Sequence, residues 1–130
     1  MESIMPNAER SLYQRLGGYD VIAAFTTDYV NRIRADPRFA RFGGGRSTDK
    51  KMRDVQLNID YLCKVAGGPM YYLGRDLKTS HLGLNITEDE WKANMQYWAE
   101  ALDAHKIPQR EKEEVLALVE GMKREIVEAR

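Results

Sequence analysis

The sequence predicts an all-helical fold, and three observations support this prediction. Apolar residues recur at steps of three and four along several stretches, which is the spacing of one buried face of an α-helix. Residues that suit helix caps precede these stretches, and glycine or proline follows them. No stretch alternates apolar and polar residues as a half-buried strand does, and the chain contains no internal repeat.

The first part of the chain predicts an extension followed by two helices. Residues 1–10 show no periodicity and are expected to form a flexible N-terminal extension before a single domain at residues 11–130. Ser11 can cap a short helix that ends at Gly17-Gly18. A longer amphipathic helix then runs from Tyr19 to near Asp36-Pro37; its apolar positions are Val21, Ile22, Phe25, Tyr29 and Ile33.

The middle of the chain predicts one long helix and one short helix. After the glycines at 43–45, Ser47 or Thr48 can cap a helix that Gly67-Gly68-Pro69 ends, because glycine suits the terminating conformation and proline cannot continue a helix. The segment from Met70 to Gly83 has room for a short helix that carries His81.

Two further helices complete the prediction. Thr87 and Glu90 form a capping box, in which Thr87 caps the helix and Glu90 reaches back. Pro108 suits the first turn of the last helix. The apolar stripe of that last helix consists of Val115, Leu118, Val119, Met122 and Ile126.

Composition excludes several classes of protein. The 130 residues suit one domain, and the 20 basic residues balance the 20 acidic ones, which gives no electrostatic case for nucleic acid. No stretch of apolar residues is long enough for a membrane span, and the N-terminus lacks the apolar run of a signal peptide. Cys63 is the single cysteine, so no intrachain disulfide forms and a reducing cytoplasm is the expected location.

His81 is the candidate metal ligand. Only His81 and His105 are histidines, which excludes a multi-histidine site. A neutral imidazole is the commonest ligand for a transition metal, and one proximal histidine is sufficient to hold a haem iron. From its surroundings alone, however, a single histidine is more often a packing or capping residue than a ligand.

Several short motifs resemble those of the group I truncated haemoglobins, and the histidine segment and the Leu12-Tyr13 opening are specific together. The resemblance covers roughly residues 11 to 127 and is carried by Leu12-Tyr13-x-Arg15-Leu16-Gly17-Gly18, Arg32-x-x-Ala35-Asp36, Gly67-Gly68-Pro69, Tyr72, Gly74-Arg75-Asp76, His81-x-Gly83-Leu84, Ile86-Thr87 and Pro108. It implies a two-over-two helical sandwich around haem b, with His81 as the axial ligand and the sixth position of the iron open or filled by water.

The resemblance also implies a distal ligand pocket. Truncated haemoglobins usually have a tyrosine in the second helix, but that position falls on Val30 here, and Tyr29 precedes it. Adjacent helical residues point about 100° apart, so Tyr29 either reaches the ligand from the side or packs in the core. The distal helix positions fall on Asp54, Leu57, Asn58, Tyr61 and Leu62, with Asn58 where the family often has glutamine.

The remaining cofactor-binding positions are implied in the same way. They are Phe42, Asn58, Tyr61, Leu62, Tyr72, Arg75, Leu77, Lys78, Trp91 and Val119. Either Phe39 or Phe42 is expected to stack on the haem, because Gly43 replaces the family's second aromatic residue. Arg75 and Lys78 could pair with the haem propionates. The alternative for these residues is ordinary core or solvated surface.

The resemblance therefore implies a monomeric haem protein that binds oxygen, nitric oxide or another diatomic ligand. Oxygen transport or sensing is one possible role, and nitric oxide dioxygenation or peroxidase-like turnover, supported by a reductase, is another. A haem-free helical interaction module is the alternative from a different class. In that case Trp91, Met95 and Trp98 would form its core or a partner face.

Overall fold

The computed structural model describes residues 10–43, 47–69, 72, 74 and 84–127. Within these residues the chain forms α-helices and one 3-10 turn, and no β-strand, which confirms the all-helical prediction. The helices are α1 (Leu12–Leu16), α2 (Tyr19–Ala35), α3 (Ala40–Gly43), α4 (Thr48–Val65), α5 (Glu88–Ala104), α6 (Gln109–Glu120) and α7 (Lys123–Ile126), and the 3-10 turn is Pro37–Phe39.

Side-chain caps begin the helices where the sequence predicts them. At α1 the Ser11 hydroxyl accepts from the Gln14 backbone N–H at 3.1 Å, and the Gln14 side chain accepts from the Ser11 N–H. At α5 the Thr87 hydroxyl accepts from the Glu90 N–H at 3.1 Å, and Glu90 Oε1 accepts from the Thr87 N–H at 2.9 Å. Both arrangements are capping boxes, which satisfy backbone donors that the first turn of a helix leaves unpaired.

The C-terminal region differs from the prediction in two respects. Pro108 is the N-cap of α6 rather than part of its first turn, and the helix begins at Gln109. The predicted apolar stripe is then divided between α6 and α7, because α6 ends before Gly121 and a new short helix begins at Lys123.

Two pairs of helices form the core. Helix α2 packs against α4 in one pair, α5 packs against α6 in the other, and α2 also packs directly on α5. At the contact between the pairs, Phe25 meets Trp98 edge-on with ring centroids 6.4 Å apart. Cys63 is fully buried in this core, and burial raises the pKa of its thiol to about 11. The thiol therefore stays protonated and acts as a small apolar group.

Partly buried ion pairs join the helices outside the core. Arg15 of α1 pairs with Glu111 at 2.9 Å and with Glu114 at 2.5 Å, both on α6. His105 caps the C-terminus of α5, and its Nε2 lies 3.0 Å from Asp28 Oδ2 on α2. These contacts connect α1 to α6 and the end of α5 to α2.

Hydrogen bonds to the Asp36 carboxylate stabilise the turn that follows α2. Its carboxylate is 8% exposed and accepts from the Arg38 guanidinium at 2.7 Å and from the Tyr97 hydroxyl at 2.5 Å. The hydrogen bonds from Arg38 and Tyr97 hold the pKa of Asp36 well below its usual range. Tyr97 lies on α5, so this carboxylate connects the end of α2 to the other pair of helices.

Among the helices of the described residues, none is both long enough and apolar enough to cross a membrane.

Replacement of Thr87 by Ala should lower the free energy of unfolding by about 1 kcal/mol, because the Glu90 N–H loses its cap. Urea denaturation of the wild type and the variant measures this difference. Thr87→Ser keeps a hydroxyl acceptor and serves as the control. Equal stability of all three proteins would contradict the assigned cap.

Acidification should destabilise the protein partly through Asp36. The folded-state pKa of Asp36 lies below the unfolded value of about 3.9, so the unfolded state binds the proton more readily. The carboxylate's contribution is therefore complete above about pH 5 and is lost as pH falls towards the folded pKa. In thermal melts between pH 7 and pH 3, the melting temperature of Asp36→Asn should fall less steeply with acidification than that of the wild type. The variant should start from a lower melting temperature at pH 7. Melting temperatures that fall in parallel for the variant and the wild type would contradict this assignment.

Candidate functional site

Three of the predicted lining residues, which we call the apolar wall, are buried in one hydrophobic cluster. Leu62 on α4, Trp91 on α5 and Val119 on α6 are each 3% exposed and belong to the same hydrophobic cluster. They come from three different helices, so only the folded chain brings them together. Water is excluded from this part of the interior.

Trp91 presents an apolar ring because its polar atom is satisfied elsewhere. The indole N–H lies 3.3 Å from both carboxylate oxygens of Glu120, at the end of α6. The capping box at Thr87 and Glu90 fixes the first turn of α5, in which Trp91 lies. The large ring is thereby oriented against α6 and can pack on a flat apolar group.

Tyr61 and Tyr72 contact each other through their rings. Their ring centroids are 5.0 Å apart with an interplanar angle of 76°, an edge-on contact. Burial raises the pKa of Tyr61, so its hydroxyl stays protonated and can donate a hydrogen bond. Both side chains are half-buried.

Asn58 and Asp54 lie on α4 one turn apart. Asn58 is exposed, and its amide Nδ2 donates to the backbone carbonyl of Asp54 at 2.9 Å. Asp54 and the neighbouring Leu57 are half-buried. In this arrangement the Asn58 amide is engaged by its own helix.

The structure separates the environments of Tyr29 and Val30. Tyr29 stacks on Trp98 with ring centroids 3.9 Å apart, and its hydroxyl donates to Asn94 Oδ1 on α5. Burial raises the pKa of Tyr29, so the hydroxyl remains protonated. These contacts correspond to the packing alternative for Tyr29. Val30 is buried on the adjacent flank of α2.

Phe39 and Phe42 come together after α2. Phe39 is 9% exposed and Phe42 is half-buried, with their ring centroids 6.1 Å apart. Phe39 also meets Tyr97 of α5 edge-on at 6.4 Å. Both candidates for the aromatic contact therefore lie in one small cluster.

Four predicted positions lie outside the described residues: His81, Arg75, Leu77 and Lys78.

Comparison with known proteins identifies the family. The family model for bacterial-like globins matches residues 11–128. The chain belongs to the bacterial-like globin family. The group 1 truncated haemoglobin GlbN of Mycolicibacterium paratuberculosis is 26% identical over 116 residues, which cover 89% of this chain and 83% of that relative. A group 1 truncated haemoglobin of Tetrahymena pyriformis is 27% identical over 96 residues, 74% of this chain and 77% of that relative.

A solved structure shows the same fold. The crystal structure of the truncated haemoglobin from Tetrahymena pyriformis in its Fe(III) form aligns with a TM-score of 0.81 at 21% identity, over 91% of this chain and 98% of that chain. The predicted two-over-two helical sandwich is confirmed, and so is the recognition of a truncated haemoglobin.

Haem b is the cofactor of this globin, as the sequence resemblance predicted. The described walls fit such a group, because Leu62, Trp91 and Val119 offer buried apolar surface from three helices and the indole N–H of Trp91 is already paired. A flat macrocycle that packs against this surface would bury a large apolar area.

Two polar residues near these positions were not predicted from sequence. Asn94 accepts from Tyr29, and Thr26 is fully buried in α2 with a hydroxyl that has no hydrogen-bond partner in the described part of the chain. The sequence could have predicted that Thr26 is buried. Thr26 lies four residues after Ile22 and four before Val30, on the buried side of the helix.

Replacement of Tyr29 by Phe should lower the free energy of unfolding by about 1 kcal/mol, since the Asn94 carbonyl loses its donor. Oxygen dissociation from the haem-loaded protein should stay unchanged, because this hydroxyl is directed at α5. Chemical denaturation and stopped-flow oxygen release measure the two effects. Faster oxygen release with unchanged stability would contradict the packing assignment and support a distal role.

Proposed function

We propose that this globin holds haem b through His81 and binds oxygen, nitric oxide or another diatomic ligand on the opposite face. Globin membership and the binding of small diatomic ligands are established at the level of the family. The identity of the axial ligand is the proposed step. It is supported by the segment that carries the resemblance, in which His81 is the only imidazole.

The apolar wall is the observation that carries the proposal. Haem supplies an iron centre that binds diatomic ligands reversibly when the surroundings are dry and shaped to admit them. Leu62, Trp91 and Val119 exclude water from one side of the interior. Tyr61 lies on the same helix as Leu62, and its protonated hydroxyl can donate a hydrogen bond.

A redox role is the second candidate. Val30 has no hydrogen-bonding atom, and the Tyr29 hydroxyl is engaged with Asn94, so neither supports long retention of oxygen on the distal side. Fast autoxidation with easy access of peroxide would favour peroxidase-like turnover. Nitric oxide dioxygenation needs oxygen that stays bound long enough to meet nitric oxide, and a reductase that returns the iron to its ferrous state. Slow autoxidation and slow oxygen release would favour oxygen binding or transport instead.

The haem-free interaction module has less support. Trp91 and Trp98 are 3% and 6% exposed, and both are packed inside the hydrophobic cluster, which leaves neither ring available as a partner face. The family assignment favours the haem-binding interpretation. An absorption spectrum of the purified protein supplied with haem distinguishes the two.

Replacement of His81 by Ala should abolish stable haem retention, because the iron loses its axial bond. The Soret absorbance that remains after desalting measures this loss. His105→Ala is the matched control, since His105 is the only other histidine and pairs with Asp28 at the surface. The control should retain haem like the wild type. Full retention and an unchanged spectrum in His81→Ala would show that another side chain holds the iron.

A further inference from the structure

The basic residues of this chain are concentrated in one segment. Eight of the 20 basic residues but only two of the 20 acidic residues lie at positions 32–53. This segment therefore carries a net charge of +6, and the rest of the chain carries −6. The overall balance of charge is not reproduced locally, so the two parts attract different partners.

The fold brings four of these basic residues together where α2 ends and α4 begins. Arg34, in the last turn of α2, donates from its guanidinium to the backbone carbonyl of Lys51, in the first turn of α4, at 2.9 Å. Lys50 and Arg53 lie in the first two turns of α4. We call Arg34, Lys50, Lys51 and Arg53 the basic edge. Lys51 is half-buried and the other three are exposed.

Carboxylates do not neutralise the basic edge. Among the described residues no ion pair involves any of its four side chains, whereas the nearby Arg38 pairs with Asp36 at 2.7 Å. Asp49 is the single acidic residue in the first turn of α4. Cations near the N-terminus of a helix oppose the helix dipole, and like charges in adjacent turns repel each other. The basic edge therefore lowers the stability of the fold, which indicates a role outside it.

An apolar side chain lies within the basic edge. Met52 is 66% exposed and is the only exposed large hydrophobic residue in the described part of the chain. It lies between Lys51 and Arg53 in the sequence, in the second turn of α4. A methionine side chain is flexible and polarisable, and methionine and arginine are both enriched in protein interfaces. The combination of unpaired cations and an exposed methionine is typical of a protein-binding surface.

We propose that the basic edge binds the acidic surface of a protein that donates electrons to the haem. The inference rests on the proposed function, because ferric iron must become ferrous before it binds oxygen. One electron leaves the donor, which is oxidised, and reduces the ferric iron to the ferrous state; no proton or group is transferred. Complexes of this kind have small interfaces, in which complementary charge supplies the rate of encounter.

The basic edge lies close to the positions that the resemblance assigns to the haem pocket. Asn58 follows Arg53 by five residues on α4, which is about 7.5 Å along the helix axis. Phe39, one of the two candidates for stacking on the haem, follows Arg34 by five residues. A donor bound at the basic edge would therefore be near the cofactor.

The charge of the remaining chain favours a compact acidic protein over a polyanion. An anionic membrane or a nucleic acid extends beyond the four cations and meets the part of the chain that carries −6. A small acidic protein can approach the basic edge alone. Met52 offers such a protein an apolar contact as well.

The test is stopped-flow reduction of the ferric, haem-loaded protein by a reduced plant-type ferredoxin, a one-electron donor of low potential with an acidic surface. The second-order rate constant of the wild type should fall about tenfold between about 10 mM and about 200 mM salt, because screening removes the attraction. The double variant Lys50→Gln/Arg53→Gln should react about tenfold more slowly than the wild type at low salt and depend less on salt.

The matched control is the double variant Lys64→Gln/Lys92→Gln. It removes the same amount of charge from two exposed residues, at the other end of α4 and on α5. Its rate constant should stay within about twofold of the wild type, because only local charge guides the donor. Equal slowing of both double variants would show an effect of total charge and overturn the inference.

Two further measurements separate binding of the donor from other roles. The haem-free Lys50→Gln/Arg53→Gln variant should be at least as stable as the wild type, because repulsion is relieved. Loss of its Soret absorbance on desalting would assign these cations to the cofactor and overturn the inference. So would binding of the wild type, but not of this variant, to duplex DNA or to vesicles with about 30% phosphatidylserine, if the ferredoxin rate were unaffected.

The failure of this inference differs from the failure of the proposed function. If the wild type forms a Soret band and a carbon monoxide complex but its reduction by ferredoxin depends neither on salt nor on Lys50 and Arg53, this inference alone is wrong. If the wild type supplied with haem forms no Soret band, the proposed function fails and this inference fails with it.

Discussion

The packing of α2 on two neighbours is the constraint on which the structure depends. One flank of this helix places Phe25 and Tyr29 against Trp98 of α5, and the adjacent flank meets α4. A helix with two buried flanks can rotate very little, because a rotation that improves one contact breaks the other. The relative positions of α4 and α5 therefore follow from their contacts with α2.

This constraint explains why the order of Tyr29 and Val30 matters. The two residues differ by one position but lie about 100° apart on the helix. The tyrosine consequently packs on Trp98 and bonds Asn94, whereas valine occupies the neighbouring flank. Position 30 therefore offers no side-chain hydrogen-bond donor on that flank.

The apolar wall and the polar periphery have complementary roles. Leu62, Trp91 and Val119 keep water from the interior, while Glu120 satisfies the single polar atom of Trp91. The ion pairs of Arg15 with Glu111 and Glu114 lie outside this wall. The side chains of Arg15 and Glu111 are each 12% exposed and that of Glu114 is 37% exposed, so solvent weakens mainly the second pair. The interior therefore offers a dry surface without a buried unpaired charge in the described walls, which suits an apolar macrocycle.

Local sequence signals were sufficient for the starts of α1 and α5, because the caps Ser11 and Thr87 act within one turn of the chain. It also carried the family resemblance, through short motifs whose spacing is fixed. Tertiary structure alone decided which flank of α2 meets which helix, that Glu120 pairs with Trp91, and that Thr26 finds no hydrogen-bond partner among the described residues. These outcomes depend on residues far apart in the chain, and a helical period does not specify which neighbour a buried flank will meet.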